Sequence, residues 1–451
     1  MQPRTRVVVL DDDPTGIQTV HGCLLLTQWN RSTVELAFED DCPFFYVLTN
    51  TRAYTTEEAR EITRSIMKTI LEVNGKHQDT LIFISRSDST LRSHFPAEVD
   101  EITRLLEQQE GTRPDATFLV PAFFEGGRVT CNDTHYIREG DRFIPTAETE
   151  FARDSVFGYS TSYLPGYIEE KAGGRVLAST VRSVTLDMLR DPEPAHLADW
   201  LRSLNDNTWA VVNAECYEDL HRFTEALRQL VETGRRYVFQ SAASLVKSLT
   251  ETPDQPLLGA EIATGAQPGF FVVGSHVRLT TAQLQELLAC SGVEGIEVDV
   301  RQILNAREAA MGAVLREVCR LASQCTTPVL YTSRQEIRFS SVQERMEAGQ
   351  QISDFLSSVV RALPYSPSYL VAKGGITSHD VLAHGLELVT ARVLGQILPG
   401  VPVVKSPPDH RFGEMPYVIF PGNVGGSDAL KQVYEKLNPD IRENRQCACT
   451  G

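Results

Sequence analysis

Residues 7–16 read VVVLDDDPTG: an apolar run, Val7 to Leu10, passes directly into Asp11, Asp12 and Asp13, then Pro14, Thr15 and Gly16. A short apolar run closed by turn-forming residues reads as a buried strand. In open parallel sheets the carboxyl ends of the strands open onto the ligand crevice. Three carboxylates at such a point repel one another unless a cation, a proton or a donor-rich ligand relieves them. Asp also favours turns and N-caps, so one of them can serve the following backbone. At least one of the remainder is expected to carry function.

The same strand-then-helix alternation extends outward. Strands are expected at Phe44–Leu48, Leu81–Ile84, Phe118–Val120, Arg175–Thr180, Trp209–Asn213 and Tyr237–Gln240. Thr56–Val73 carries Ala59, Ile62, Ile66 and Ile70 at helical spacing, and Thr55 with Glu58 forms a capping-box pattern at its start. Further helices are expected at Glu98–Gln109 and near 194–204 and 218–233. Residues Pro121–Ser162 lack periodicity and read as a loop-rich region suited to substrate contacts.

The Pro- and Gly-rich stretch Thr252–Gly269 marks a boundary, and a second series follows it. Its strands are expected at Phe270–Val273, Ile296–Val298, Val329–Thr332, Tyr369–Ala372 and near 401–404 and 417–420. Its helices fall near 280–289, 303–323, 343–362 and 427–437, with another beginning near Thr377. The expected fold is α/β in two domains, each a largely parallel sheet flanked by helices: residues 1–252, a linker 253–269, and residues 270–451. The active site is expected in the cleft between them.

A chain of 451 residues exceeds what one core usually serves, and 42% hydrophobic with 23% charged residues is ordinary globular composition. The net charge of −16 argues against a nucleic-acid partner. No stretch resembles a signal-peptide core or a membrane span, so a cytoplasmic location without membrane contact is expected. Nine cysteines, an odd number, suggest reduced thiols; Cys447 and Cys449 lack the second pair a zinc site needs.

Two more polar loops follow strands in the first half. Residues 85–94, SRSDSTLRSH, bring Arg86, Asp88 and Arg92 together with hydroxyls, a set suited to a carboxylate and sugar hydroxyls. Residues 121–130, PAFFEGGRVT, supply glycines that let backbone approach a ligand, and Arg128. Three glycine turns mark the second half: Gly274-Ser275-His276, Lys373–Ser378 and Pro421–Ser427. Exposed N–H groups at such turns suit phosphate, so the expected ligand is an anion, most simply a nucleotide. Neither a Walker lysine motif nor a G-x-G-x-x-G fingerprint is present.

Taken in order, DDDPTG (11–16), SDSTLRS (87–93), PAFFEGGRVT (121–130), GSHVRLTTAQL (274–284), KGGITS (373–378) and PGNVGG (421–426) resemble the four-carbon acid sugar kinase family along nearly the whole chain. The resemblance implies an N-terminal sugar-acid-binding domain and a C-terminal nucleotide-binding domain. It further implies ATP-dependent phosphorylation of the terminal hydroxyl of a tetronate-type acid, with Mg²⁺. By that match Asp12, Asp13, Asp88, Arg92, Gly127 and Arg128 would face the sugar acid. Ser275, Gly374, Gly375, Ile376, Thr377 and Gly422 would contact ATP. The chain departs from the family at Pro14, at Thr19 where an acid is usual, at Val277 where a second Ser is frequent, and at Ile376 where an acid is common.

On this reading Arg92 and Arg128 hold the substrate carboxylate, and Asp12 or Asp13 orients or deprotonates the hydroxyl. The expected partners are the small sugar acid and ATP; a homo-oligomer is compatible, and the stereoisomer is left open. Two rivals remain. D-x-D-x-T (Asp11, Asp13, Thr15) with Thr49 resembles the opening of a haloacid-dehalogenase-like phosphatase, with Asp11 as nucleophile. A noncatalytic sugar-acid and nucleotide sensor is the other. His21, His94, His135 and His276 are assigned no role.

Overall fold

The computed structural model describes residues 4–334, 341–422 and 424–439; Cys447 and Cys449 lie outside them. The chain divides into two compact units, Met1–Asp254 and Gln255–Gly451.

The strands of the first unit are β1 (Thr5–Asp11), β2 (Leu24–Leu26), β3 (Phe44–Leu48), β4 (Thr80–Arg86), β5 (Ala116–Val120), β6 (Arg128–Cys131), β7 (Thr134–Glu139), β8 (Arg142–Pro145), β9 (Arg182–Val184), β10 (Thr208–Val212) and β11 (Tyr237–Ser241). Eight of them form one parallel array in the order β2-β3-β1-β4-β11-β5-β10-β9. Both faces are covered by helices, which is why β1, β3 and β5 are apolar throughout rather than alternating. The chain passes from β3 on one side of β1 to β4 on the other, so β1 is the switch strand of this sheet. Helix Thr56–His77 makes that crossing, and its Thr55–Glu58 capping box is present as expected.

The second unit contains β12 (Phe270–Val273), β13 (Val293–Val298), β14 (Thr327–Thr332), β15 (Leu370–Lys373), β16 (Thr390–Leu398), β17 (Val401–Lys405) and β18 (Pro416–Phe420). The order β13-β14-β12-β15-β18 is parallel, and β17 and β16 continue it antiparallel. Here β12 is the switch strand, with β14 on one side and β15 on the other.

Several expectations are corrected. Residues Arg175–Thr180 are not a strand: Gly173 and Gly174, both at positive φ, turn the chain out of helix Leu164–Lys171, and Ala178–Thr180 is a 3₁₀ turn. The strand begins later, as β9. The region Pro121–Ser162 holds the antiparallel sheet β6-β7-β8, whose short, half-exposed strands leave little periodicity to detect. The helix expected over 303–323 is two, Val300–Asn305 and Arg307–Ser323, broken at Ala306. Strand β16 was not anticipated; register shifts at Val393/Gly395 and Gln396/Leu398 disturb its pattern. Cys131, Cys216, Cys290 and Cys319 are free thiols, whereas Cys325 is disulfide-bonded, against the expectation of wholly reduced cysteines. Among the described residues no helix is long and apolar enough to cross a membrane.

Phe118 anchors the far side of the first sheet, with ring centroids 5.2 Å from Phe223, 5.6 Å from Tyr237 and 5.5 Å from Phe239. Phe118→Ala is expected to cost about 3–5 kcal/mol, read as a lowered urea midpoint. A loss below about 1 kcal/mol would mean that this cluster collapses to fill the space.

Candidate active site

At the carboxyl end of β1 the Asp11 carboxylate is completely buried, with Oδ1 3.3 Å from Nη1 of its register partner Arg86 on β4. A Cβ at Gly16 would fall 1.8 Å from Asp11 Oδ2, so the turn after the acids closes directly onto the carboxylate and admits only glycine. Arg52, in the 3₁₀ turn Thr51–Ala53 after β3, reaches across: its Nη2 pairs with Asp13 Oδ2, and its Nε lies 3.1 Å from Asp12 Oδ2. That second approach is an ion pair without hydrogen-bond alignment, and neither Asp12 oxygen has a hydrogen-bond partner. Asp13 Oδ1 accepts from Thr15 N at 2.7 Å and from Thr15 Oγ1 at 2.6 Å.

Asp11, Asp12 and Asp13 thus face two guanidiniums, Arg52 and Arg86, and full ionisation would leave one excess negative charge in a dry place. Burial pushes Asp11 up to about 7 and Asp12 well above the ordinary carboxylate range, against the opposing pull of Arg86 and Arg52. Burial also lifts Asp13, but Arg52 and the Thr15 donors outweigh it and hold that carboxyl low. The cluster therefore keeps a proton on its Asp11–Asp12 side while Asp13 stays ionised. Beneath it, Glu98 is buried, accepts from Thr51 Oγ1 at 2.8 Å and Ser85 Oγ at 3.3 Å, and is raised by that burial.

The loop after β4 is held by its own carbonyls. Tyr159 donates to Thr90 O and Tyr167 to Leu91 O, each at 2.8 Å. His135 Nε2 lies 2.8 Å from Ser89 O, and a carbonyl only accepts, so Nε2 carries the proton. Burial lowers His135 to about 4, so the ring is neutral and Nδ1 accepts from Thr130 Oγ1 at 2.9 Å. Thus clamped, the loop presents Asp88, which accepts from Arg92 Nε at 2.6 Å and from Thr90 Oγ1. Burial raises Asp88, but Arg52 and Arg92 outweigh it and keep it ionised. Arg92 is further committed, lying 3.8 Å from Asp154 and 4.9 Å over the Phe151 ring. Arg128, an electrostatic neighbour of Asp88 and Arg92, differs: Nη1 donates to Gly126 O, Nε is buried without a partner, and no carboxylate among the described residues pairs with it.

In the second unit the turns after β12, β15 and β18 lie on one sheet edge. A Cβ at Gly274 would fall 2.3 Å from Thr377 Oγ1, and one at Gly374 would fall 3.3 Å from Ser275 Cβ, so the first two turns are in contact. Gly374, at φ 117°, donates its N–H to Phe420 O at 2.9 Å, tying in the third. Gln283 reaches back from helix Arg278–Leu288 to Val424 O at 3.0 Å and Gly426 O at 2.9 Å. Arg334, after β14, donates to Ser275 O at 2.6 Å and Thr332 O at 3.0 Å. Lys373, completely buried, donates to the carbonyls of Pro421 and Gly422.

The comparisons divide the chain in the same two parts. A sugar-binding N-terminal domain matches residues 7–249, and a nucleotide-binding C-terminal domain matches residues 270–430. The chain belongs to the four-carbon acid sugar kinase family. Among solved structures, a Salmonella typhimurium LT2 protein provisionally described as a tRNA synthase superposes with a TM-score of 0.71 at 18% identity, over 95% of this chain and 98% of its own. A Haemophilus influenzae protein, HI1011, of the DUF1537 family gives 0.67 at 16% identity, over 95% and 100%. Both show the fold. No curated protein matches the sequence.

Within this sugar-kinase-family chain, the structure gathers Asp12, Asp13, Asp88, Arg92 and Arg128 in one charged neighbourhood of the first unit. Gly127 is explained by its turn, at φ 72° with Arg138 packed against it, rather than by ligand approach. Ser275, Gly374 and Thr377 meet in the second unit, and Gly422 joins them through Lys373. Gly375 opens the short helix Gly375–Asp380, and Ile376 is 76% exposed, with only its main-chain N–H to offer a phosphate. Sequence reading missed Arg52, Arg334, Glu98 and the role of Lys373. Arg52 follows β3 in LTNTRAY, and adjacency of β3 to β1 is the signal that would have found it. The phosphatase pattern fails on geometry: the Asp11 carboxylate is paired with Arg86 and closed off by the Gly16 turn, and Thr49 Oγ1 donates to Asp11 O at 3.0 Å.

A cavity of about 540 Å³ in the first unit lies elsewhere, lined by Tyr217, His221, Lys247 and Asp254 among others. Its lysine is already paired with Asp254 at 2.6 Å, and the family's motifs do not enter it.

Because the folded pKa of Asp11 lies above its ordinary 3.8, the native chain keeps a proton that the unfolded chain releases, and stability falls as pH rises from about 4 to about 7. Asp11→Asn should flatten that fall, measured as urea midpoints at pH 5 and pH 8. Parallel declines in wild type and variant would show that Asp11 is ionised throughout.

Proposed function

We propose that this chain uses ATP to phosphorylate the terminal hydroxyl of a four-carbon sugar acid of the erythronate, threonate or 3-oxo-tetronate type. The observation that carries the reading is the pairing of unspent groups in the first unit. Arg128 keeps donors without a carboxylate partner, and Asp12 keeps acceptors without a donor. A hydroxy acid brings the complementary set, a carboxylate for the one and hydroxyls for the other. The sugar-binding and nucleotide-binding domain matches support the two ligand classes.

In this reading Arg128 holds the substrate carboxylate, and Asp88 with Arg92 frames it. Arg92 itself is less available than the motif implies, since Asp88 and Asp154 already occupy it. A substrate hydroxyl donating to Asp12 favours the form in which the shared proton sits on Asp11, leaving Asp12 as the acceptor. The hydroxyl oxygen then attacks the γ-phosphorus, its proton passes to Asp12, the bond to the bridging oxygen breaks, and ADP leaves. The turns at Ser275, Gly374–Thr377 and Gly422 hold the nucleotide phosphates through main-chain N–H groups. Among the described residues no group of three or more His, Cys, Asp or Glu could hold a metal ion, so Mg²⁺ would be held mainly by the triphosphate itself, neutralising its charge.

A noncatalytic sensor would not need a buried, proton-sharing acid cluster, which costs stability. An ATP-consumption assay across a panel of tetronates separates the readings. Wild type should consume ATP only with its acid. Arg128→Ala should weaken acid binding by about 2–5 kcal/mol with ATP affinity unchanged. Asp12→Asn should lower kcat by roughly 10²–10⁴-fold with little change in KM. Activity retained in Asp12→Asn would remove the base assignment, and absence of turnover with every acid would remove the kinase.

A further inference from the structure

Lys373 closes β15 and is completely buried. Its Nζ lies 2.5 Å from Pro421 O, 3.1 Å from Gly422 O and 4.2 Å from the centre of the Phe420 ring. No carboxylate among the described residues pairs with it, and burial is the sole influence on its titration, bringing it down to about 7. Carbonyl dipoles and a ring face compensate an ammonium only in part. By contrast, Asp11, Asp12, Asp13 and Asp88 each have a guanidinium beside them, and Arg128 has an expected carboxylate. A glutamine could bridge the same two carbonyls without the cost of burying a charge.

The position is specific. Gly374 follows immediately and ties to Phe420, and both carbonyls held by Lys373 belong to the third glycine turn. The unmatched ammonium therefore sits under the junction of the turns that contact Ser275 and Thr377. At low dielectric a charge one layer below a ligand still acts on it strongly.

We propose that Lys373 is a positioning residue that gives these turns their preference for a polyphosphate over an uncharged nucleoside, acting through the Pro421–Gly422 carbonyls. The inference rests on reading the Gly374 and Gly422 turns as the nucleotide site, and the phosphate of the ligand completes the charge balance that the protein leaves open.

The test is calorimetric titration of the full chain with ATP and with adenosine, for wild type, Lys373→Gln and Lys373→Met. Both variants should bind ATP about 30-fold or more weakly, while adenosine binding is unchanged in Lys373→Gln. Melting temperatures should hold or rise, because an uncompensated buried charge has been removed. Equal weakening of both ligands in Lys373→Gln would make the lysine a mere clamp and overturn the proposal, as would unchanged ATP affinity. Inorganic tripolyphosphate provides a readout that needs no variant: it should displace ATP from wild type, and failure to do so overturns the proposal. A chain that passes these tests yet phosphorylates no tetronate supports the role of Lys373 and defeats only the kinase reading.

Discussion

Placing Asp11, Asp12 and Asp13 at the end of a central buried strand obliges the rest of the first unit to neutralise them from within. Water cannot do it, because Asp11 is wholly covered and Asp12 nearly so. Arg86 and Arg52 enter from the two strands that flank β1, and the remaining charge is relieved by a retained proton. Each partner then imposes its own demand. Asp11 forbids a side chain at Gly16; Arg52 requires the Thr51–Ala53 turn; and that turn donates to Glu98, which begins the next helix. Removing one member leaves the others as unmatched buried charges, which is costlier than never having buried them.

The two units meet comparable demands with one topological device. In each, the first strand is the switch strand and takes two later strands as neighbours, β3 and β4 beside β1, β14 and β15 beside β12. Arg52 and Arg334 occupy corresponding places: each follows the strand that flanks the switch strand on the earlier side, and each reaches over the first loop. Their duties differ. Arg52 neutralises carboxylates, whereas Arg334 spends its donors on the carbonyls of Ser275 and Thr332 and so stiffens a turn. A sugar acid needs fixed side-chain charges about it; a nucleotide phosphate needs main-chain N–H groups held in a fixed arc.

That division explains what the sequence revealed. Buried parallel strands announce themselves as unbroken apolar runs, so β1, β3, β5, β12 and β18 are readable, and the Thr55–Glu58 cap is a local pattern. The acids and glycine turns are readable because they follow such strands directly. Arg52 was not, because its role depends on which strands are neighbours, a non-local fact. Nor was the commitment of Arg92, since Asp154 and Phe151 lie some sixty residues away in a region without periodicity. The apolar run at Val176–Leu177 misled for the opposite reason: Leu177 is 51% exposed, so its hydrophobicity reflects no sheet position. Lys373 stood in plain view inside KGGITS, but only burial and the absence of a counter-charge give it meaning.

The retained proton also bears on how a strongly ion-paired acid cluster can act as a base. Asp13 is held low by Arg52 and two donors from Thr15, and a carboxylate so well satisfied has little affinity for another proton. Asp12 has the opposite problem, for burial favours its neutral form. The adjacency of Asp11 resolves it. Two carboxyls raised together titrate as a pair, and their single proton goes wherever the surroundings oppose it least. Asp11 is shut in beneath Gly16 beside Arg86, whereas neither oxygen of Asp12 has a donor. In the proposed kinase reading, a hydroxyl hydrogen-bonded to Asp12 would shift the proton onto Asp11 and create its own acceptor. On that proposal, the acid shut away from the substrate would be the one that makes its neighbour basic.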